Sequence, residues 1–297
     1  MNNSSHTNGG EPIGIAGTGR MAKALGALLR ARGFRVGAVA GRSSDACIRA
    51  AGFVHADAAV SMRELPRCAR CILIAVSDDA VTSVADELEA SGLEGGIVLH
   101  TSGSAGPDAL ACLRRSNNST GVLHPLQTVP TAERGIETLP GSTFACSGDD
   151  AAMSWAGELI EALRGRALAI DPERWQHYHA AAVMACNYHV TLVDAALELM
   201  ENAGIGRGPA LDALRPLIQA TTDNVLNAGP EAALTGPVRR GDAGTIRRHL
   251  AALSTASEET RKLYVAAGRR TIALAKRAGL DRGAAVEIAA ALGDLHA

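Results

Sequence analysis

Aromatic residues are scarce in this chain: three Phe, three Tyr and two Trp, or 3% of 297 residues. A pocket that stacks flat rings on aromatic side chains is therefore not expected. Neither sign of charge dominates, with 29 Lys and Arg against 31 Asp and Glu. That balance gives no reason to expect nucleic acid or an acidic membrane surface as a partner. No uninterrupted apolar run approaches the length of a bilayer span, so no membrane partner is expected. The opening MNNSSHTNGG, residues 1–10, is polar and lacks an apolar core. It reads as a disordered leader and not as a secretion signal. The six cysteines are scattered, and Cys68 and Cys71 form a lone C-x-x-C without a second pair or neighbouring histidines. Packing roles are expected for them, no metal site, and a reducing, cytoplasmic setting.

What is present is a folded-protein composition, 47% hydrophobic and 20% charged, long enough for two domains. Up to Asp171, short apolar runs alternate with amphipathic stretches. PIGIAG (12–17), FRVGAVAG (34–41), CILIAVS (71–77), GGIVLHTSG (95–103) and TGVLHP (120–125) read as strands, with STFACSG (142–148) and RALAID (166–171) continuing the sheet. Helical patterns cover 20–33, 78–92 and 149–165. Apolar strands alternating with helices imply a parallel sheet covered on both faces. After Pro172 the strand signal ends. One long helix is expected from Glu173 to about Asn202, with an apolar stripe through Val183, Cys186, Val190, Val193, Leu197 and Met200. Its YHAAAVMACNYHV segment (178–190) reads as a buried helix. A second helix follows Pro209, kinked or broken at Pro216, and another starts from Asp242 as N-cap. The expected organisation is α/β: residues 11–171 a Rossmann-like, doubly wound sheet, and residues 172–297 an all-α domain for substrate and dimerisation.

IGIAGTGRMAKAL places Gly17, Gly19 and Ala22 in a G-x-G-x-x-G/A pattern between a strand and a helix. Gly17 suits the tight turn, Gly19 the approach of a pyrophosphate, and Ala22 close helix–strand packing. Glycines at such turns also occur for steric reasons alone, but the βαβ setting is the one dinucleotide binding requires. Thr18, Arg20 and Met21 fall in the same turn. The second strand ends in Gly41, Arg42, Ser43 and Ser44, where an NAD site would usually carry an acidic residue. A guanidinium flanked by hydroxyls suits a ribose 2′-phosphate, so NADP is expected over NAD; a solvated surface Arg is the alternative. Other strand ends carry Val76, Ser77 and Asp78, then His100, Thr101 and Ser102, then His124, Gln127 and Thr128. In open α/β sheets the ligand lies beyond these carboxyl ends. Ser77 or Asp78 can instead cap a helix, and His100 can be a hydrogen-bonded strand-end histidine.

GIAGTGRMA, GRSS, AVSDDAV and LHTSGS together resemble the 6-phosphogluconate dehydrogenase-like superfamily, which includes ketopantoate reductase, prephenate dehydrogenase and pyrroline-5-carboxylate reductase. LHPLQT (123–128), YHAAAVMACNY (178–188) and LTGPVRRGD (234–242) resemble, more narrowly, a family of NADP-linked oxidoreductases that pair a Rossmann-like domain with a helical domain of unknown function. The resemblance covers the chain after the leader. It implies a nicotinamide cofactor across the sheet and a homodimer through the helical domain. Several relatives carry a Lys and an Asn one helical turn apart on the first long helix. Asn187 fills the Asn position here, but Val183 stands in place of the Lys, so the usual proton donor is missing.

Hydride transfer to a carbonyl or imine needs a proton donor within hydrogen-bond reach, and histidine suits that without tuning. His124, His179 and Asn187 are the catalytic candidates, although His179 and Asn187 can also simply bond neighbouring helices. In TGPVRRGD, Arg240 and the amides near Asp242 can hold an anion such as a substrate carboxylate, or form a capped surface turn. Gln127, Asn224 and Arg240 complete the substrate candidates. The expectation is an NADP(H)-dependent oxidoreductase for a small, polar, carboxylated substrate; the alternative is an NADP(H) sensor without turnover.

Overall fold

A computed structural model of the chain describes residues 10–293; the expected leader at 1–10 lies almost wholly outside them. The chain divides into two compact units, residues 1–184 and 185–297. The first is built on one eight-stranded sheet in the order β3-β2-β1-β4-β5-β6-β7-β8. The strands are β1 (Ile13–Ala16), β2 (Val36–Ala40), β3 (Ala58–Val60), β4 (Cys71–Ile74), β5 (Ile97–His100), β6 (Ser119–Pro125), β7 (Thr143–Gly148) and β8 (Arg166–Ala169). All neighbours pair parallel except β6 and β7. The seven runs read as strands all take part. β3 escapes the sequence reading because its three residues, Ala-Ala-Val, are too short for a period to show.

The near-continuous apolar strands follow from burial on both faces. Successive side chains point to opposite sides of a sheet. On one side Ile13, Ile15, Val39 and Leu73 pack beneath helices α1 (Arg20–Ala31), α2 (Ser44–Val54) and α7 (Asp150–Ala162). On the other, Ala16, Ala38, Ile72 and Ile74 pack beneath α3 (Leu65–Cys68), α4 (Val81–Ala90) and α5 (Ala111–Arg115). α6 (Ala132–Thr138) links the antiparallel β6 and β7. This is the doubly wound arrangement expected, and it places the strand ends of β1, β4, β5 and β6 along one edge. The first unit closes with α8 (Trp175–Ala185), of which only Trp175 is buried.

The second unit is helical: α9 (Asn187–Asn202), α10 (Arg207–Ala233), α11 (Gly236–Arg240), α12 (Ala243–Ala252), α13 (Glu258–Arg277) and α14 (Arg282–Leu292). Its core gathers Val238, Ile246, Val265, Ile272, Ile288 and Leu292 from α11 to α14. Asp242 caps α12 as expected, accepting from the Thr245 amide at 2.9 Å.

Three expectations need correction. The single helix from Glu173 to Asn202 is interrupted at Cys186, whose φ of −112° and ψ of −72° leave the helical well. The YHAAAVMACNYHV segment is not buried: within the expected stripe only Leu197 is, while Val190 stays 66% exposed. Helical spacing shows which residues share a face, not whether anything covers that face. α10 does not break at Pro216, where the Asp212 carbonyl left without an amide partner lies on an exposed stretch open to water. It breaks at Gly229, immediately before Pro230, because a proline disfavours helical geometry in the residue preceding it. By length and mean hydropathy alone Pro172–Asn202 also meets the requirement for a membrane span. Alanines raise that mean although Tyr, His and Asn interrupt every long apolar run.

Candidate functional site

Two features occupy the carboxyl ends of the first unit's strands. The first is the turn from β1 into α1. Gly17 has φ +138°, and a Cβ there would lie 2.2 Å from the Ala75 carbonyl oxygen, so this position requires glycine. Its amide donates to the Ala40 carbonyl at 2.8 Å, tying β1 to β2 as the chain turns. Gly19 is the N-cap of α1, with no side-chain cap and with open space where a side chain would stand. The first-turn amides of α1 are thus left for an outside acceptor. A cleft of about 880 Å³ opens here, lined by Gly17, Thr18, Gly19, Arg20 and Met21, by Gly41 and Arg42 after β2, and by Val76 and Ser77 after β4. Ser61, Arg63 and Glu87 also line it, and the sequence reading missed them because they lie on short connections and a helix face without a motif.

Arg42 is exposed and has no hydrogen-bond or ion-pair partner among the described residues. Arg20 turns its guanidinium toward the Pro130 carbonyl at 3.5 Å. Ser43 caps α2, accepting from the Ala46 amide at 3.4 Å, and Ser44 begins that helix. Neither lines the cleft, and neither do Thr101 and Ser102, which are buried in the loop after β5.

That loop, Thr101–Gly106, carries the second feature. His100 at the end of β5 is fully buried. Its Nδ1 accepts from the Ser102 amide at 3.2 Å, so Nε2 holds the proton and donates to the Gly106 carbonyl at 2.8 Å. Burial pushes this imidazole down to about 4, against the backbone bond and Asp78, which favour the cation. His100 is a neutral post that shapes the loop. Ser102 Oγ accepts from the Ala105 amide at 3.0 Å and tightens the same turn.

His124, near the end of β6, is half-buried and its Nδ1 lies 2.6 Å from the Tyr178 hydroxyl of α8. His179 is next along that helix, its ring centroid 6.1 Å from that of His124. A Cβ on Gly103 would come within 2.7 Å of both His124 Nε2 and His179 Cδ2, so the loop backbone reaches both rings only as glycine. Trp175, fully buried one turn before His179, donates Nε1–H to the Gly103 carbonyl at 2.7 Å and packs against Tyr178 with ring centroids 5.2 Å apart and planes tilted by 58°. Gln176 reaches the Ser104 carbonyl at 3.3 Å. Helix α8 is thereby bolted to the loop, which fixes its histidine beside His124.

Burial lowers His124 to about 4, helped by His179 and His100 and opposed by Asp78. For Asp78 burial works against the carboxylate, yet the Ser102 and Ser104 hydroxyls and the two histidines outweigh it and hold the carboxyl below its ordinary value. The pair of imidazoles named from the sequence is thus brought together. Tyr178, Trp175 and Gly103 were not named for the site; a Tyr and a Trp so close together in a chain this poor in aromatics was the available signal.

The other candidates stand on other segments of the chain. Asn187 opens α9 in the second unit and is exposed. Gln127 is exposed, its side-chain oxygen accepting from the Thr128 amide at 2.9 Å. Asn224 is exposed on α10. Arg240, at the end of α11, lines a second-unit pocket of about 680 Å³ with Arg239, Gly236 and Asp281. Neither arginine has an ion-pair partner among the described residues. The cysteines are free, and burial raises Cys71 and Cys146 to about 11.

Residues 2–125 match the model of a Rossmann-like domain, and residues 142–271 that of a domain of unknown function (DUF2520). No curated protein matches the sequence. Among solved structures, a Bacteroides fragilis protein described as a candidate NADP oxidoreductase is similar at 24% identity and TM-score 0.71, over 88% of this chain and 97% of that one. The protein TM1727 from Thermotoga maritima is similar at 22% identity and TM-score 0.70, covering 89% and 99%. An imine reductase of Streptomyces aurantiacus aligns at 16% identity and TM-score 0.57, over 96% and 93%. These likenesses establish a shared fold.

Proposed function

We propose that this chain, a Rossmann-like domain followed by the DUF2520 domain, is an NADP(H)-dependent oxidoreductase. It would move hydride to or from a small polar carbonyl, imine, alcohol or amine. The observation that carries this reading is the pairing, along one sheet edge, of an uncapped glycine turn with two imidazoles. The residues fit the cofactor: Gly17 and Gly19 leave the backbone bare, and the unpaired amides of α1 suit a pyrophosphate. Arg42, free at the end of β2, suits the 2′-phosphate, with Ser43 and Ser44 behind it. Val76 and Ser77 line the path beyond the turn, and Thr101 and Ser102 shape the loop beside it.

The bound nicotinamide would supply the hydride. His124 and His179 would then flank the reacting carbon and handle the proton, with Asn187 completing the set as the family resemblance suggests. Gln127, Asn224 and Arg240 are proposed to meet the substrate, and the unpaired Arg240 supports a carboxylate on it. The free cysteines suit a cytoplasmic setting. On α9 and α10, Tyr188, Val190, Leu217 and Leu226 are each more than half exposed. We read this apolar surface as the seat of a second copy, since such patches on a folded protein mark association.

Calorimetry with NADPH and NADH, followed by turnover with keto acids, imines and their reduced partners, tests the reading. NADPH bound well above NADH, with oxidation by one substrate class, is expected. Tight NADPH binding with no turnover on any class would favour a sensor, the reading that Val183 in place of a Lys supports. No binding of either nucleotide would end both.

A further inference from the structure

His124 and Tyr178 share one hydrogen bond of 2.6 Å, and which of them donates decides what the imidazole offers to a ligand. Each has no other hydrogen-bond partner among the described residues. A phenol is a stronger acid than a neutral imidazole N–H, and a bare imidazole nitrogen is a far stronger base than a phenol oxygen. The favourable arrangement is therefore Tyr178 O–H donating to Nδ1. His100, 24 positions earlier, follows the same pattern, with Nδ1 accepting and Nε2 protonated.

We infer that Tyr178 is a positioning residue: it holds His124 in the tautomer that presents Nε2–H, unpartnered, beside Gly103 and His179 as the donor to the substrate's heteroatom. The inference rests on the oxidoreductase reading for its catalytic meaning. Its structural content does not. Among the described residues Nε2 has no acceptor, yet it is not one of the enclosed polar atoms left without a partner. A donor placed this way in a half-buried site is open to an incoming acceptor, here a carbonyl oxygen or imine nitrogen. Trp175 and the Gly103 carbonyl hold the α8 turn that carries the tyrosine, so the phenol cannot drift from the ring.

Hydride from the reduced nicotinamide would add to the carbonyl carbon as the π pair moves to oxygen, and that oxygen would take the Nε2 proton. Nδ1 draws the phenolic proton at the same time, so the imidazole ends neutral with Nδ1 protonated; a solvent proton taken up at Nε2 then returns the Nδ1 proton to the phenolate and restores both groups. Burial raises the phenol to about 12. It is still a much stronger acid than the alcohol that the alkoxide product becomes, so the transfer runs downhill. His124, lowered to about 4, acts throughout as a neutral donor and not as an imidazolium.

Nitrogen-15 NMR of the histidine-labelled chain without nucleotide tests this directly, with His124→Gln assigning the signals. At pH 7 the expected spectrum has His124 protonated at Nε2 and bare at Nδ1. In Tyr178→Phe the single tautomer should give way to a mixture. The same variant should lose about 10- to 100-fold in kcat, the usual effect of removing the group that orients a functional imidazole, with NADPH affinity unchanged. A proton on Nδ1 in the wild type overturns the inference, as does a Tyr178→Phe chain with unaltered tautomer and kcat. The wild-type spectrum decides the matter even if the variant fails to fold. Absence of NADPH binding would instead sink the oxidoreductase reading and leave the tautomer assignment standing.

Discussion

Acidification should weaken the first unit well before its carboxylates titrate, and His100 should account for a defined share. The buried His100 and the half-buried His124 are both held near 4 in the fold, against 6.5 for a free imidazole. A native value below the unfolded one means stability is fully present above pH 6.5 and is lost as pH falls toward 4. Between those values the unfolded chain binds protons that the native chain refuses. Integrating the linkage from pH 7 to pH 5 gives roughly 2 kcal/mol for each histidine, so about 4 kcal/mol for the pair. Carboxylates held low in the fold, such as Asp78, lose their contribution below this window. The interval therefore isolates the imidazoles. Urea unfolding at pH 7, 6 and 5 measures the loss, and His100→Gln, which keeps a donor for the Gly106 carbonyl, should roughly halve it. Wild-type stability that changes by less than about 1 kcal/mol across the window would refute the buried neutral imidazoles. So would an unchanged pH dependence in His100→Gln.

Gly17→Ala would place a methyl 2.2 Å from the Ala75 carbonyl at a φ of +138°; a stability loss of about 2 kcal/mol or more is expected, with NADPH binding abolished, by thermal melting and calorimetry. Gly103→Ala would press on both His124 and His179 at 2.7 Å; kcat should fall at least tenfold while NADPH affinity holds, which a turnover assay beside a binding isotherm would separate. Arg42→Ala should weaken NADPH by about 1.5–3 kcal/mol, as for one lost charge-assisted contact, and leave NADH almost unaffected; equal loss for both would remove the phosphate assignment. Paired charges at Val190→Lys and Leu226→Lys should convert a dimer to monomer in sedimentation, and a wild type already monomeric at micromolar concentration would remove the proposed interface.

The sequence carried the first unit well because its signals are local. A strand buried on both faces must be apolar throughout, and a glycine that turns into a helix leaves a fixed spacing; PIGIAG and GTGRMA could be read without any knowledge of neighbours. The two histidines were also legible as types, one at a strand end and one on a helix. What the sequence could not supply was anything set by distant partners. Spacing made 178–190 look like a buried helix, yet burial depends on what lies opposite, and Val190 and Tyr188 stay more than half exposed. It left His100 open between a ligand-facing group and a hydrogen-bonded strand-end histidine; the Ser102 amide and the Gly106 carbonyl close that imidazole off, while His124 keeps a free Nε2. Tyr178 was invisible as a partner because 54 positions separate it from His124, and only the packing of Trp175 under the Gly103 loop brings them to 2.6 Å. Residue type and period thus determined the sheet, the glycine turn and the list of candidates. Which imidazole is free, and which nitrogen it presents, was decided by contacts between segments far apart in the chain, because a proton's place on a ring depends on the atoms that surround it.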